Sequence, residues 1–187
     1  MKIASQKRKE NIAEYLLYMW QIEDIIRANV LDMDRIRHNV IDRLGLDETQ
    51  SREVTEWYES LVDMMRREGV EKKGHLQLNK KVIIQLVDLH TALLKDPKFQ
   101  DYTAEFYKTL PYIVELRAKS GEEKSGEIET CFNALYGMLM LRLQKKEVSP
   151  ETQIAIKQIS RFIALLAHNF RLDEEDKLFA NEDSLTD

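Results

Sequence analysis

The sequence predicts an all-α fold, a single irregular bundle of about seven helices around an apolar N-terminal helix. Apolar residues recur at spacings of three and four along almost the whole chain, which is the period of an amphipathic helix. The 187 residues include only six glycines and three prolines, too few turn-formers for a many-stranded β-sandwich or barrel. Hydrophobic residues make up 43% and charged residues 33%, which is too apolar for a disordered chain and too charged for a membrane bundle.

The first predicted helix runs from about Gln6 to Ala28 and is apolar around most of its circumference. Between Ile12 and Ile26 the polar arc holds only Glu14, Gln21 and Asp24. A helix that is apolar on most sides is enclosed by its neighbours. We therefore expect this helix to be central.

Local start and stop signals define the other six helices. Asp32 is a candidate N-cap, Asp47-x-x-Gln50 resembles a capping box, and Ser149-Pro150 combines a cap with a proline at the first helical position. Pro111 must kink or split the fifth helix. The predicted spans are about 33–44, 48–69, 77–95, 97–119, 127–146 and 150–171.

The domain prediction is one helical domain over residues 1–172 and an acidic tail over residues 173–187. The net charge is −5, and the tail holds seven acidic residues against one lysine, so the remainder is close to neutral. This is not the basic balance of a dedicated nucleic-acid-binding protein. The longest apolar run, residues 15–20, is far shorter than the roughly 18 residues that a membrane span needs. We expect a cytoplasmic protein without a membrane segment.

Four charged or titratable residues fall on apolar helix faces and form a candidate ligand-binding cluster: Glu23, Arg27, His90 and Arg142. If they converge inside the bundle, they can bind a small anion or perform acid–base chemistry. The alternative is structural. In that case Glu23 and Arg27 pair with each other, Arg142 reaches solvent at a helix end, and His90 bonds a backbone carbonyl.

The last predicted helix carries a basic face that can receive nucleic acid or the acidic tail. Its members are Lys157, Arg161, His168 and Arg171.

Catalytic and metal-binding motifs are absent from the sequence. None of the four histidines has an acidic residue three positions before it, as a di-iron carboxylate bundle requires. The single cysteine, Cys131, excludes an intramolecular disulfide and a Cys-based zinc site, and it falls on an apolar helix face as an inert core residue. We expect no cofactor, no metal and no catalytic residue.

The segment KRKENIAEYLLYMWQIED, residues 7–24, resembles the N-terminal helix of an uncharacterised all-helical family of Bacteroidetes, a domain of unknown function. The resemblance implies a bacterial cytoplasmic protein with an all-α fold. It carries no activity, ligand or site residue.

Three functions are compatible with these observations. The first is a non-enzymatic protein-interaction module that self-associates, because the apolar helix faces exceed the needs of one small core. The second is a helical small-molecule or anion-binding protein, including an enzyme, that uses the four-residue cluster. The third is nucleic-acid binding through the basic face. An exposed apolar patch favours the first, and a cavity with converging polar groups favours the second.

Overall fold

The computed structural model describes residues 2–120 and 125–179, and in these ranges it contains eight α-helices, two short 3₁₀ helices and no strand. The predicted all-α fold is confirmed, with one helix more than the predicted seven. The 3₁₀ helices are Ile41–Leu44 and Pro97–Phe99. The α-helices are α1 (Lys2–Glu10), α2 (Ile12–Ala28), α3 (Met33–Asn39), α4 (Glu48–Arg67), α5 (Gln77–Lys95), α6 (Gln100–Ser120), α7 (Glu127–Leu143) and α8 (Pro150–Glu174).

The predicted capping residues start their helices as expected. The Asp32 side chain accepts the backbone N–H of Arg35 at 3.0 Å at the start of α3. Asp47 and Gln50 form a complete capping box at the start of α4, with distances of 2.8 and 3.4 Å. Ser149 caps α8. Each cap satisfies an N–H that the helix itself leaves without a partner.

Two predicted helices are interrupted. The first is broken at Asn11, whose side-chain oxygen accepts the backbone N–H of Ala13 at 3.0 Å and so caps a new helix, α2. The second stops at Asn39 because Val40 leaves the helical region with φ −123° and ψ −65°. Pro111 does not split the fifth predicted helix, because α6 continues through it.

The chain divides into two compact units. Unit 1 comprises Met1–Glu10 and Glu14–Val82, and unit 2 comprises Asn11–Ala13 and Ile83–Asp187. In unit 1, α3, α4 and the first 3₁₀ helix pack together, and in unit 2, α6, α7 and α8 pack against one another. A single domain over residues 1–172 stays a prediction. Residues 180–187 of the predicted acidic tail lie outside the described residues.

The cores of the units contain the side chains that helical periodicity predicts. Most of the circumference of α2 is buried, and Glu14 is its exposed acid. In unit 2 an aromatic cluster joins three helices, with ring centroids of His90, Tyr102, Phe106 and Phe162 between 4.7 and 5.8 Å apart. Burying one such large apolar side chain stabilises the fold by about 1.5–3 kcal/mol.

Candidate functional site

Glu23 is the centre of a buried polar network in unit 1. Its side chain is fully buried, and Oε1 accepts the backbone N–H of Leu76 at 2.9 Å and Nδ2 of Asn79 at 2.7 Å. Oε2 lies 2.6 Å from Nδ1 of His75. The carboxylate of Glu23, on α2, thus caps the first turn of α5. Its negative charge also interacts favourably with the N-terminal end of the α5 helix dipole.

His75 is held on two sides. Its ring stacks on Trp20 with a centroid separation of 4.1 Å and an interplanar angle of 12°. A carboxylate can only accept, so Nδ1 of His75 carries the proton that it shares with Glu23. Nε2 has no hydrogen bond to another residue that the structure describes, and the His75 side chain is 30% exposed.

The predicted pairing of Glu23 with Arg27 is wrong. Arg27 instead forms an ion pair with Asp24 at 2.8 Å, and its Nη2 donates to the carbonyls of Val70, at 3.1 Å, and Gly74. The loop before α5 offers Arg27 carbonyl acceptors, whereas it offers Glu23 N–H donors. Both side chains therefore find complementary partners in the loop and not in each other.

His90 is buried in unit 2, as the sequence predicts, but its partner is a side chain and not a backbone carbonyl. Nδ1 lies 2.6 Å from the hydroxyl oxygen of Tyr102. Burial lowers the pKa of His90 and raises the pKa of Tyr102 far above its usual range. Both groups are therefore neutral at physiological pH.

Arg142 is exposed, as the structural alternative for this residue predicts, and it is not part of a buried cluster. It lies in the last turn of α7 and is exposed, since the helix ends at Leu143 and the long side chain can reach solvent. There it lines an open groove of about 470 Å³ with Lys146 and Gln153 among its neighbours.

The four cluster residues therefore belong to different surroundings. Glu23 and Arg27 lie in unit 1, and His90 and Arg142 lie in unit 2. Within unit 2, His90 and Arg142 line different grooves. Ligand binding by all four together stays a prediction. His75, Asn79 and Tyr102, which complete the polar networks, were not identified from the sequence because their partners are distant in the chain or on another helix.

The basic residues of α8 share one exposed face. Lys157, Arg161, His168 and Arg171 are all exposed, and Nε of Arg161 lies 3.7 Å from a carboxylate oxygen of Glu105. Binding of nucleic acid or of the acidic tail by this face stays a prediction.

Cys131 is fully buried, and burial raises its pKa to about 12. Its thiol is therefore protonated at neutral pH and is not an activated nucleophile.

Helix α6 has two faces that carry apolar residues. The buried stripe of α6 consists of Tyr102, Phe106, Thr109 and Ile113. At 100° per residue, about 150° around the same helix, a second stripe is exposed to solvent. We call it the outer face of α6: Ala104, Tyr107, Pro111, Val114 and Ala118.

These features describe an all-α protein built from two small helical units, with buried polar networks and an exposed apolar face on α6. The chain belongs to the DUF4924 family, a domain of unknown function, which matches residues 1–177. No curated protein and no solved structure matches the chain. Over the residues that the structure describes, no helix combines the length and the apolar character that a membrane crossing requires.

Proposed function

We propose that this protein is a non-enzymatic interaction module that self-associates through the outer face of α6. The observation that carries the proposal is the exposure of large apolar side chains on that face. Tyr107 is 62% exposed and Val114 is 55% exposed. Contiguous apolar surface in contact with water is typical of interaction sites, whereas the solvent face of an ordinary surface helix is polar.

The spacing of the outer face matches helix–helix association. Its five residues are separated by three, four, three and four positions. This alternation is the a/d pattern with which helices pair side by side in coiled coils. The small side chains at its ends, Ala104 and Ala118, allow a second helix to approach closely.

The charges beside the outer face favour a second copy of the same helix as the partner. Lys108 and Glu115 lie on one flank of the stripe, seven residues apart and opposite in sign. In an antiparallel pair, Tyr107 faces Ala118 of the second copy, and each Lys108 comes within reach of the other copy's Glu115. A two-fold axis then forms the favourable contact twice.

Both flanking residues are free to change partners. Lys108 lies 3.7 Å from Glu105 and Glu115 lies 2.6 Å from Lys119, in ion pairs within the same helix. The Lys108 and Glu115 side chains are exposed. The Glu115–Lys119 pair is exposed on both sides and contributes at most about 1 kcal/mol. Glu105 is 13% exposed but keeps Gln158 and Arg161 as partners when Lys108 leaves, so exchange for an intermolecular pair costs little.

The contact area predicts a weak dimer. One helix face buries well below the total of about 1,600 Å² that is typical of a stable interface, so we expect a dissociation constant on the order of 10 μM. Sedimentation velocity over a concentration series measures it. A sedimentation coefficient that stays at the monomer value up to about 1 mM would show that the protein does not self-associate.

Two substitutions locate the interface. Tyr107→Glu places a charge on the outer face and is expected to weaken association at least about tenfold. Leu143→Glu is the matched control, because Leu143 is equally exposed at 66% but lies at the end of α7. Equal weakening by both variants would place the interface elsewhere.

Charge reversal tests the antiparallel arrangement. Lys108→Glu sets like charges against each other twice in the dimer and should weaken association about fivefold or more. The double variant Lys108→Glu/Glu115→Lys restores opposite charges and should recover most of the loss. A double variant that associates no more tightly than the single variant contradicts this register.

A cytoplasmic location is part of the same proposal and rests on the sequence pattern alone.

A further inference from the structure

An open groove of about 390 Å³ lies in unit 2, between the C-terminal half of α5 and the start of α7. Its volume is within the range of pockets that bind small molecules. The lining combines four apolar side chains, Val87, Leu94, Phe106 and Ile128, with four polar ones, His90, Thr91, Lys95 and Glu127.

The hydrogen bond of His90 determines which ring nitrogen carries the proton. The Tyr102 hydroxyl is buried, and its hydrogen bond is to Nδ1 of His90, at 2.6 Å. A buried hydroxyl that keeps its proton must donate it, and Nδ1 is the acceptor within reach. The neutral ring therefore carries its own proton on Nε2.

Nε2 is the polar atom of His90 that remains available. His90 is only 6% exposed, and Nε2 makes no hydrogen bond with any residue in the described ranges. The ring is nearly buried, but Nε2 itself keeps contact with solvent, so its N–H can donate to a ligand acceptor in the groove.

The charge around the groove favours an anion. Lys95 is exposed at the rim and brings a positive charge. Gly126, also in the lining, is the N-cap of α7 and makes no side-chain cap hydrogen bond. The positive end of the α7 helix dipole therefore adds to the positive potential of Lys95 in the groove. Glu127 opposes it, but Nη2 of Arg117 lies 3.6 Å from its carboxylate and partly neutralises it.

We propose that this groove binds a small organic carboxylate. The Nε2–H of His90 and the ammonium group of Lys95 donate to the carboxylate, and Val87, Leu94 and Phe106 contact the hydrocarbon. Two side-chain donors suit a monoanion better than a phosphate, which needs more donors. The apolar walls require an organic body and not a bare inorganic anion.

This site is separate from the self-association proposed above. Phe106 lies on the buried stripe of α6, and the outer face of α6 lies on the opposite side of that helix. Each proposal can fail without the other.

The experiment is an NMR titration of the full chain with sodium hexanoate, following the ¹H–¹³C and ¹H–¹⁵N signals of the His90 ring. The nitrogen shifts of the free protein should report the Nε2–H tautomer. Hexanoate should then shift the ring signals with a Kd of about 1 mM. Hexan-1-ol carries the same tail without charge and should bind at least about tenfold more weakly. Equal shifts by both compounds, or no shift with hexanoate, would overturn the proposal.

Two substitutions, each with a matched control, localise the ligand without disturbing the core. Lys95→Gln removes the exposed charge and should weaken hexanoate binding about fivefold, whereas Lys98→Gln outside the groove should not. A Cβ on Gly126 or on Gly137 meets no atom within 4 Å, so both positions accept a larger residue. Gly126→Leu should obstruct the groove and abolish binding, and Gly137→Leu should leave it unchanged. Parental binding by Gly126→Leu would place the ligand elsewhere.

Discussion

Glu23 of α2 holds the ring of His75 by a hydrogen bond of 2.6 Å to Nδ1, across 52 positions of sequence. The same carboxylate fixes the first turn of α5 through Leu76 and Asn79. One buried acid therefore fixes both the loop and the helix that follows it. Its value for stability lies in the three donors that it satisfies.

Replacing Glu23 by alanine should strongly destabilise unit 1. Three buried or half-buried donors lose their acceptor at once, and we expect a loss of about 3–5 kcal/mol in the free energy of unfolding. Urea denaturation followed by tryptophan fluorescence measures it, because Trp20 stacks on His75.

Glu14→Ala is the matched control for this substitution. Glu14 lies in the same helix but is exposed, where it pairs with Lys7 at 3.2 Å. Its loss should cost no more than about 1 kcal/mol. A Glu23→Ala variant that unfolds at the parental urea concentration would contradict the role assigned to the network.

The stability of the protein should fall at mildly acidic pH because of His90. Burial lowers the pKa of His90 below its ordinary value of 6.5, so the unfolded chain binds a proton at a pH where the folded chain does not. The contribution of the neutral His90 ring to the free energy of unfolding is complete above about pH 6.5. It is lost as the pH falls towards the lower pKa of His90 in the folded state. The loss is at most about 1.4 kcal/mol per pH unit, and the charge of Glu127 reduces it.

The double variant His90→Phe/Tyr102→Phe isolates this effect. It removes the titrating ring and the hydroxyl together, so no buried group loses its partner. Urea unfolding of both proteins at about pH 7.5 and 5.5 gives two differences in free energy. The difference should be smaller in the variant. An equal difference in both proteins would assign the acid sensitivity to other groups.

The helix starts could be predicted because their determinants are local. Asp32, Asp47 and Ser149 each accept an N–H that lies three residues further along the chain, so the sequence contains both members of the pair. The break at Asn11 was missed because neither proline nor glycine marks it, and the polar residues 5–10 before it carry no apolar pattern that could show an interruption. The capping bond to Ala13 interrupts the helix without changing its periodicity.

The candidate site could be predicted only in part, because its partners are tertiary. Periodicity places Glu23 and His90 on buried faces, and both are buried. It says nothing about His75, which follows Gly74 in a loop and meets Glu23 only when the loop folds back. Arg142 reaches solvent, as the structural alternative predicted, because α7 ends one residue later.

Replacing Val30 by glycine should stabilise the protein. Val30 follows α2 with φ +52° and is exposed, so its branched side chain occupies the left-handed region without compensating burial. That conformation costs an L-residue about 1–2 kcal/mol, which glycine avoids. Glycine also raises the conformational entropy of the unfolded chain, and this offsets part of the gain. We expect a net gain of about 0.5–1 kcal/mol in thermal or urea unfolding.

A glycine at an exposed helical position should act in the opposite direction. Ile154→Gly in α8 replaces an exposed residue outside the left-handed region and should cost about 0.5–1 kcal/mol. Opposite signs for the two variants assign the gain at Val30 to its backbone. A loss of stability in Val30→Gly would show that the left-handed turn costs the chain nothing.

The nucleic-acid hypothesis for α8 makes a quantitative prediction about salt. Lys157, Arg161 and Arg171 are permanently charged, and the first and last are about 21 Å apart along the helix. If these three contact phosphates of a single strand, affinity should fall about 20-fold between about 50 and 200 mM salt. Fluorescence anisotropy with a labelled single-stranded oligonucleotide measures it.

The contribution of individual cations to this binding can be separated by substitution. Lys157→Gln/Arg161→Gln should reduce the slope of log affinity against log salt by about 1.4. Lys80→Gln/Lys81→Gln is the matched control, because both lysines are exposed on α5 and outside the basic face. Arg161 already lies 3.7 Å from Glu105, so Glu105→Gln should strengthen binding. The net charge of the chain is −5, so binding depends on this basic face. Absence of an anisotropy change at low salt would exclude the face as a nucleic-acid site.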